Sequence, residues 1–294
     1  MTLAIAMVLD ALIGEPKWLW DRIPHPAVVM GRLIGWTDTT FNQGTMRKIK
    51  GLCVLTVMVL IAGAFGGLLS KLGPFVEVIV AAVLLAQKSL VQHVRAVADG
   101  LGIGLPSGKQ AVAMIVGRDT KSMDQSDVVR GAVESAAENL SDGVIAPTFW
   151  FLVGGLPALM IYKVTNTADS MIGYKTPRHL DFGWAAARFD DLLNWIPARL
   201  TAILIVGPFK FTDLKEDASK HRSPNAGWPE AAMARRLNLA LSGPRTYDGS
   251  RQDFPWVWPN GRKDGTALDI HDACTILWQT WGIALGLVVL VAVW

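Results

Sequence analysis

Long apolar runs separated by charged segments dominate the pattern of this sequence. A transmembrane helix needs about 20 predominantly apolar residues, and residues 51–70 and 274–294 reach that length without a charged side chain. Residues 75–91 also qualify, because their two charged side chains lie near the ends, from which they reach the membrane surface. The run at 1–13 is shorter and contains an aspartate, and it is predicted as a fourth span.

Two further apolar runs are interrupted or short. Residues 144–162 are long enough to span but contain two prolines and a Gly-Gly pair, and residues 200–209 are only about half a span long. Broken helices are tolerated at membrane depth where protein or a cavity surrounds them. The pattern therefore predicts an all-α integral membrane protein, a single polytopic domain over residues 1–294, with about four spans and two broken or re-entrant segments.

Basic residues concentrate in three of the segments between these runs. Lysine and arginine are frequent at 14–50, 92–143 and 212–273, and such an excess predicts that these segments face the cytoplasm. Residues 165–193 lie on the same side if both interrupted runs are re-entrant, and on the outer side if both runs span. We expect the cytoplasmic arrangement in the bacterial inner membrane, with large helical loops forming the functional site.

Composition agrees with a membrane protein and excludes several other classes. Hydrophobic residues make up 51% of the 294 positions, and three of the 12 tryptophans lie near the ends of the last run, where indole rings anchor helices at the interface. A formal charge of +3, spread along the chain, does not indicate nucleic-acid binding. Cys53 and Cys274 lie in apolar runs outside any CxxC or Cys/His cluster, which predicts buried thiols rather than a zinc site or a disulfide.

The stretch 117–143 contains the first candidate site. Three carboxylates stand one helical turn apart on a helix predicted to begin with Ser126 as its cap: Glu134, Glu138 and Asp142. Basic residues lie near them in the sequence: Arg118, Lys121 and Arg130. Like charges on one helix face repel, and a magnesium ion that carries nucleotide phosphates would offset that repulsion. The alternative is a solvated helix face beside the membrane.

Polar groups are also concentrated between the two interrupted runs. They are Asn166, Asp169, Lys175, Arg188, Asp190, Asp191 and Asn194. Ionisable groups near membrane depth are costly and usually face a cavity or a partner, which indicates a second candidate site. The alternative is a loop followed by a helix that Asp190 or Asp191 caps, and the spacing favours neither interpretation.

A third polar stretch covers residues 220–249. Its Ser-Pro-Asn-Ala-Gly run predicts a turn, and the Trp-Pro-Glu triplet that follows opens an alanine-rich helix. His221 is a candidate base or phosphate contact, although a solvated histidine is the favoured interpretation.

Residues 102–110 resemble a phosphate-binding loop without matching it. That motif requires glycine where this chain has Ile103, and serine or threonine where it has Gln110. A simple turn is predicted at this point instead.

Multi-residue motifs occur in a fixed order along the chain. They are D-A-L-I-G-E-P (10–16), H-P-A-V (25–28), G-R-D-T (117–120), E-S-A-A-E-N-L-S-D-G-V-I-A-P-T-F-W (134–150), N-T-A-D-S-M-I-G-Y-K (166–175), F-G…A-R-F-D-D (182–191), P-A-R-L (197–200) and S-P-N-A-G-W-P-E-A-A-M-A (223–234). Taken together they resemble the CobD/CbiB family of cobalamin biosynthesis, the adenosylcobinamide-phosphate synthases. The match is loose only at residues 250–273.

The resemblance implies an integral membrane enzyme of late corrinoid assembly. Its expected reaction is an ATP-dependent amide synthesis that joins a propionate carboxylate of adenosylcobyric acid to aminopropanol or its phosphate. ATP is then a co-substrate, and Mg²⁺ is the expected metal ion. Membrane lipid and other cobalamin-assembly enzymes are further expected partners, whereas nucleic acid is not.

The resemblance and the charge pattern together nominate the site residues. The catalytic candidates are Glu134, Glu138, Asp169 and Lys175. The candidates for cofactor binding are Arg118, Lys121, Asn166, Arg188 and Asn225. The predicted magnesium ligands are Glu134, Glu138 and Asp142. Candidates to bind the phosphate of the amine substrate are Arg178 and Arg222, and candidates to cover a face of the corrinoid are Trp36, Trp150, Trp228, Trp256 and Trp258.

Two other functions are compatible with parts of this pattern. A small-solute transporter would also place charges near the membrane, although no inverted repeat is visible and the three clearest spans contain only two charged residues. A membrane-bound phosphotransferase would use the same acidic and basic groups without forming an amide.

Overall fold

Helices account for 72% of the computed structural model, which describes residues 1–211, 214–247 and 250–294. The α-helices of the described residues are α1 Thr2–Ile13, α2 Lys17–Trp20, α3 Pro26–Phe41, α4 Arg47–Ser70, α5 Pro74–Leu84, α6 Gln87–Ile103, α7 Leu105–Val112, α8 Gln125–Leu140, α9 Ala146–Ile172, α10 Trp184–Leu193, α11 Trp195–Val206, α12 Lys215–Ala218, α13 Gly227–Leu237 and α14 Ala267–Val293. A π-helical turn, Ser141–Ile145, lies between α8 and α9, and a 3₁₀ turn, Pro208–Lys210, follows α11. Residues 212–213 and 248–249, which belong to the predicted loop 212–273, lie outside the described residues.

Two short antiparallel ladders lie between α13 and α14. β1 (Leu241–Ser242) pairs with β4 (Trp256–Val257), and β2 (Arg245–Tyr247) pairs with β3 (Ser250–Gln252). The prediction of an all-α membrane protein is confirmed for the chain as a whole. The ladders were not predicted, because strands of two or three residues are too short to show a period-2 pattern.

Four helical stretches of the described residues are long and apolar enough to cross a membrane. They are Arg47–Ser70, Pro74–Ile103, Gln125–Ile172 and Ala267–Val293. Three of them contain the predicted spans 51–70 and 75–91 and most of 274–294. The predicted span 1–13 forms the 12-residue helix α1, which is shorter than these four, whereas the interrupted run 144–162 belongs to the third stretch. The run 200–209 lies mostly in α11, a short apolar helix of 12 residues.

The chain forms two compact units, each assembled from separate stretches of sequence. Unit 1 contains residues 1–86, 146–194 and 291–294. Within it α4 packs along α9, and α1, α3, α5 and α10 contribute to the same core. The backbone of α9 leaves helical geometry at Gly154 and Gly155, which agrees with the predicted interruption. The prediction of a single domain stays a prediction.

Unit 2 contains residues 87–145 and 195–290. Within it α8 packs against α6, α7 and α13, and α11 packs against α13. Most of α8 is buried, and five of the seven residues from Gly131 to Ala137 are glycine, alanine or serine. Small side chains allow neighbouring helices to approach closely. Two charged residues of α8, Arg130 and Glu134, are therefore buried in a packed core, whereas Glu138 is exposed.

Several local predictions are corrected by the structure. α8 is capped by Asp124, whose carboxylate accepts the Asp127 N–H, so Ser126 lies inside the first turn. Asp190 and Asp191 lie near the end of α10 rather than at its cap. The predicted turn at 102–110 is a break at Gly104 followed by the helix α7. The predicted burial holds for Cys274 but not for Cys53, which is exposed.

Candidate functional site

A polar cavity of about 380 Å³ lies within unit 2. It is lined by three guanidinium groups, from Arg118, Arg130 and Arg245. Its remaining lining residues are Asp119, Ser122, Met123, Asp124, Asp127, Pro244 and Trp256. Both signs of charge therefore line one small cavity, and the three arginines come from two separate parts of the sequence.

The first turns of α8 position one side of this cavity. Asp124 and Asp127 form a reciprocal capping box, in which each carboxylate accepts the backbone N–H of the other residue. The Asp127 carboxylate also pairs with Arg130 one turn later. Gly131 provides space for Arg118, because a Cβ atom at this glycine would lie 2.6 Å from an Arg118 guanidinium nitrogen. The cap and the glycine together bring two arginines to the start of one helix.

Glu134 connects the arginines that line the cavity. One of its carboxylate oxygens lies 3.1 Å from Arg118, and the other lies 3.2 Å from Arg245. The second oxygen also accepts the Ser242 backbone N–H at 2.7 Å. The Glu134 side chain is only 7% exposed. Buried charges of this kind are stable only when they are paired and hydrogen-bonded, and Glu134 therefore holds two cations in a fixed position.

Aromatic rings at alternate positions of the chain cover several of these cations. The Arg130 guanidinium lies 4.8 Å from the centre of the Trp256 ring, and the Lys263 ammonium lies 4.7 Å from the same ring. Phe254 has Arg222 at 4.4 Å and Arg245 at 5.6 Å. A cation over an aromatic face is attracted by the ring quadrupole, and each contact restricts the motion of a flexible side chain.

A buried acid and a buried imidazole lie next to this network. His221 Nε2 is 3.4 Å from Glu230 Oε1. His221 Nδ1 accepts the Ser223 backbone N–H, so Nε2 carries the proton of the neutral ring. Burial and the negative charge of Glu134 raise the pKa of Glu230 well above its usual range, whereas burial and the charge of Arg245 lower the pKa of His221. Both shifts favour the neutral forms of the two groups. The solvated interpretation of His221 is wrong, because its side chain is only 18% exposed and lies beside a buried carboxyl group.

The second predicted site forms a hydrogen-bonded cluster inside unit 1. The Asp190 carboxylate accepts hydrogen bonds from Asn166 at 3.2 Å and from Asn194 at 3.0 Å. Tyr162 donates its hydroxyl to the Asn194 side-chain oxygen at 3.1 Å. Burial raises the pKa of Asp190 to about 6, against the opposing effect of the two amide donors. The polar residues of this stretch are therefore partly structural, since they satisfy one another inside the fold.

The other nominated residues are found in different environments. In unit 2, Glu138 and Lys121 are exposed, Asp142 is half-buried, and Asn225 is buried and accepts a hydrogen bond from Arg199 at 3.1 Å. In unit 1, Asp169 is half-buried, Lys175 is exposed, and Arg188 is exposed beside Asp191 at 3.3 Å. Among the candidates of the stretch 117–143, Arg118 and Arg130 line the unit 2 cavity. Glu134 pairs with Arg118.

The nominated arginines and tryptophans also differ in their contacts. Arg178 binds Asp38 through two nitrogen atoms, at 2.6 and 3.0 Å, which engages its fork within unit 1. In unit 2, Trp256 lines the cavity and Trp228 stacks on Phe211 at 4.9 Å. In unit 1, Trp36 is exposed, and Trp150 donates its indole N–H to the Leu193 carbonyl.

The side chains that line the cavity decide whether it can hold magnesium and nucleotide phosphates. Within residues 1–211, 214–247 and 250–294, no three His, Cys, Asp or Glu side chains are arranged to hold a metal ion by themselves. Magnesium bound together with phosphates usually takes only one or two carboxylates, and Asp119 and Asp124 stand beside three guanidiniums here. The cavity therefore fits a magnesium–phosphate group. The ligand set Glu134, Glu138 and Asp142 stays a prediction.

Sequence reasoning missed several residues of this site. Neither spacing nor motifs indicated Arg245 or Glu230, because both reach the site through contacts between distant parts of the chain, such as the 108-residue separation between Glu134 and Ser242. Trp256 was expected only as a residue that covers a face of the corrinoid. A usable signal was nevertheless present. Phe254, Trp256 and Trp258 alternate within a segment rich in charged residues, a pattern that is typical of one face of an extended chain.

The fold and the cavity define the class of this protein: an α-helical membrane protein with an arginine-lined polar site. The chain belongs to the CobD/CbiB family, whose model, described as "CobD/Cbib protein", matches residues 3–277. It is 45% identical to the cobalamin biosynthesis protein CobD of Sinorhizobium sp, over 99% of this chain and 98% of that protein. The protein of the same name from Brucella suis is 45% identical over 98% and 95%, and that of Halalkalibacterium halodurans is 40% identical over 94% and 91%. No solved structure matches the chain.

This membership gives the protein a role in cobalamin biosynthesis. The names of the relatives state the pathway and not the chemical step.

Proposed function

We propose that this protein catalyses ATP-dependent amide formation between a propionate carboxylate of adenosylcobyric acid and aminopropanol or its phosphate. The observation that carries the proposal is the cavity in unit 2, where three guanidiniums converge beside carboxylates. Arginine forks bind phosphate oxygens through paired hydrogen bonds. A cobalamin-pathway enzyme with such a cavity requires a phosphate-bearing substrate, which the resemblance to the adenosylcobinamide-phosphate synthases supplies.

The reaction needs two bond exchanges, because a carboxylate and an amine do not condense spontaneously in water. A propionate oxygen of the corrinoid attacks the terminal phosphorus of ATP, and the bond from that phosphorus to its bridging oxygen breaks. The neutral amine nitrogen then attacks the acyl carbon, and phosphate leaves with the electron pair of the C–O bond. A carboxylate base takes the proton from the nitrogen.

The residues of the cavity have distinct proposed roles in this sequence. Arg118, Arg130 and Arg245 would bind phosphate oxygens and stabilise the charge that develops during transfer. Asp119 and Asp124 would hold magnesium, which neutralises phosphate charge when it is bound. The proposed base is Glu138, a nominated carboxylate that is exposed in the same unit as the cavity. A corrinoid macrocycle is much larger than 380 Å³, so the cavity would receive the phosphates and not the macrocycle.

The proposal also includes the location of the protein. We place it in the bacterial cytoplasmic membrane, with the polar segments on the cytoplasmic side, because ATP is a cytoplasmic substrate. Support comes from the four helices with the length and composition of membrane spans and from the basic residues of the segments between the apolar runs.

The decisive experiment is a reconstituted assay. Purified protein in detergent, given ATP, magnesium, adenosylcobyric acid and aminopropanol phosphate, is expected to form one amide for each ATP consumed, measured by mass spectrometry of the corrinoid and by nucleotide analysis. A parallel reaction with free aminopropanol identifies the preferred amine.

Two results would contradict the proposal. ATP cleavage that is independent of the corrinoid would favour a phosphotransferase. An absence of ATP cleavage, combined with flux of a small solute through proteoliposomes, would favour a transporter.

A further inference from the structure

An apolar groove of about 360 Å³ lies in unit 1, between the membrane-spanning helix α4 and the helix α10. Its floor and walls are formed by Leu52, Leu55, Thr56, Val59, Leu60, Trp184, Ala185, Arg188, Phe189 and Leu192. All but two of these side chains are apolar. α4 is also the least buried of the four candidate spans, so the groove lies on a helix whose outer surface is expected to face lipid.

Close backbone contact holds α10 against α4 at one end of the groove. A Cβ atom at Gly51 would lie 1.9 Å from the Phe182 carbonyl oxygen, so only glycine permits this approach. Ala185 and Ala186 are buried on the same side of α10. The larger side chains that follow on both helices keep the two backbones further apart, and the groove lies between the two helices there.

The groove is bordered by positive charge. Lys48, in the first turn of α4, lies 4.1 Å from the centre of the Trp184 ring, and Arg188 lines the groove with 63% of its side chain exposed. Four cations and two carboxylates surround this end of α4 and α10: Arg47, Lys48, Lys50 and Arg188, with Asp181 and Asp191. Arg47 pairs with Asp181 and Arg188 with Asp191, so Lys48 and Lys50 supply the excess positive charge, and Arg188 remains largely exposed beside its carboxylate.

We propose that this groove binds an anionic phospholipid, with one acyl chain along the apolar walls and the headgroup phosphate between Lys48 and Arg188. The apolar lining excludes a polar ligand, and the cationic border complements a phosphate that carries net charge. Trp184 contacts Lys48 and also lines the groove, and tryptophan is preferred at the boundary between headgroups and acyl chains. This inference does not depend on the proposed amide synthesis.

Native mass spectrometry of the detergent-purified protein tests the proposal directly. Phosphatidylglycerol is expected to bind roughly tenfold more tightly than phosphatidylcholine with the same acyl chains, since each basic side chain near the headgroup contributes to attraction of an anionic lipid. The double variant Lys48→Ala/Arg188→Ala should lose that preference. Lys71→Ala, which removes a cation beyond the other end of α4, should keep it.

A second variant tests the acyl-chain part of the site. Thr56→Trp places an indole in the groove, and it should weaken the binding of both lipids, while circular dichroism shows a native helix content. Equal binding of the two lipids to the wild-type protein would overturn the proposal. Three other results would also overturn it. The double variant could keep the preference, a fatty acid could bind as tightly as the phospholipid, or a dimer could form in place of lipid binding.

Discussion

Glu134 illustrates how the structure adds contacts that spacing along a helix cannot show. The three-carboxylate stripe correctly selected this residue as unusual, but its oxygens contact Arg118, Arg245 and the Ser242 N–H. Its geometry is that of a positioning residue, which orients two of the arginines that line the cavity. Neither arginine partner is visible in the helical spacing, since both belong to other segments of the chain.

Replacement of Glu134 by Gln should therefore weaken phosphate binding before it affects any later step. The amide cannot hold two guanidiniums as a carboxylate does, and removal of one partner of a buried pair costs about 3–5 kcal/mol. We expect the Kd for a non-hydrolysable ATP analogue, measured by isothermal titration calorimetry, to rise at least tenfold. Glu134→Asp, which keeps the charge, should retain part of the affinity.

A buried carboxylate outside the cavity provides the matched control. Asp269 is 4% exposed and pairs with Arg262 at the start of α14, so Asp269→Asn tests the loss of a buried ion pair as such. It should reduce thermal stability without a change in affinity for the analogue. Equal loss of affinity in Asp269→Asn and Glu134→Gln would mean that the effect is general destabilisation.

The segment that carries β3 and β4 contributes more to the site than its sequence indicated. Its three aromatic residues alternate, and each ring lies against at least one cation: Phe254, Trp256 and Trp258.

The apolar runs made the long helices predictable, because a run of about 20 such residues has few other stable arrangements in a chain of this composition. The short strands depend instead on pairing between distant residues, such as Leu241 with Val257.

Trp256→Leu is expected to reduce phosphate affinity by about twofold to thirtyfold, because one cation–π contact contributes roughly 0.5–2 kcal/mol. The loss follows from the greater freedom of Arg130, whose guanidinium lies over this ring. Titration with pyrophosphate, followed by calorimetry, measures the effect without any catalytic step.

Trp258→Leu is the control for this prediction. Trp258 lies against Arg235, which pairs with Asp217 and does not line the cavity. Its replacement should leave the pyrophosphate affinity unchanged. A similar loss in both variants would show that the aromatic residues support the fold of the segment rather than the arginines of the cavity.

The arrangement of the whole chain in the membrane decides which of its polar segments can meet ATP. Sequence composition predicted the number of long spans but assigned one of them to residues 1–13, whereas the third long stretch is Gln125–Ile172. The difference arises because the prolines and the Gly-Gly pair predicted an interruption in 144–162. The structure does break helical geometry at Gly154 and Gly155, but helical segments on both sides of this kink make up one long stretch. The orientation in the membrane depends on the loop charges. The two possible topologies differ in the side of the membrane on which residues 165–193 lie.

We expect residues 165–193 to face the cytoplasm together with 14–50, 92–143 and 212–273. In a cysteine-free background, with Cys53 and Cys274 replaced, single cysteines at the exposed positions Ser170 and Thr176 should not react with a membrane-impermeant maleimide in intact cells. They should react after the membrane is permeabilised. Leu72→Cys, in the exposed turn between α4 and α5, should react in intact cells, because this turn is predicted to face outward. Strong labelling of Ser170→Cys or Thr176→Cys from outside would mean that both interrupted runs cross the membrane, and it would separate this segment from cytoplasmic ATP.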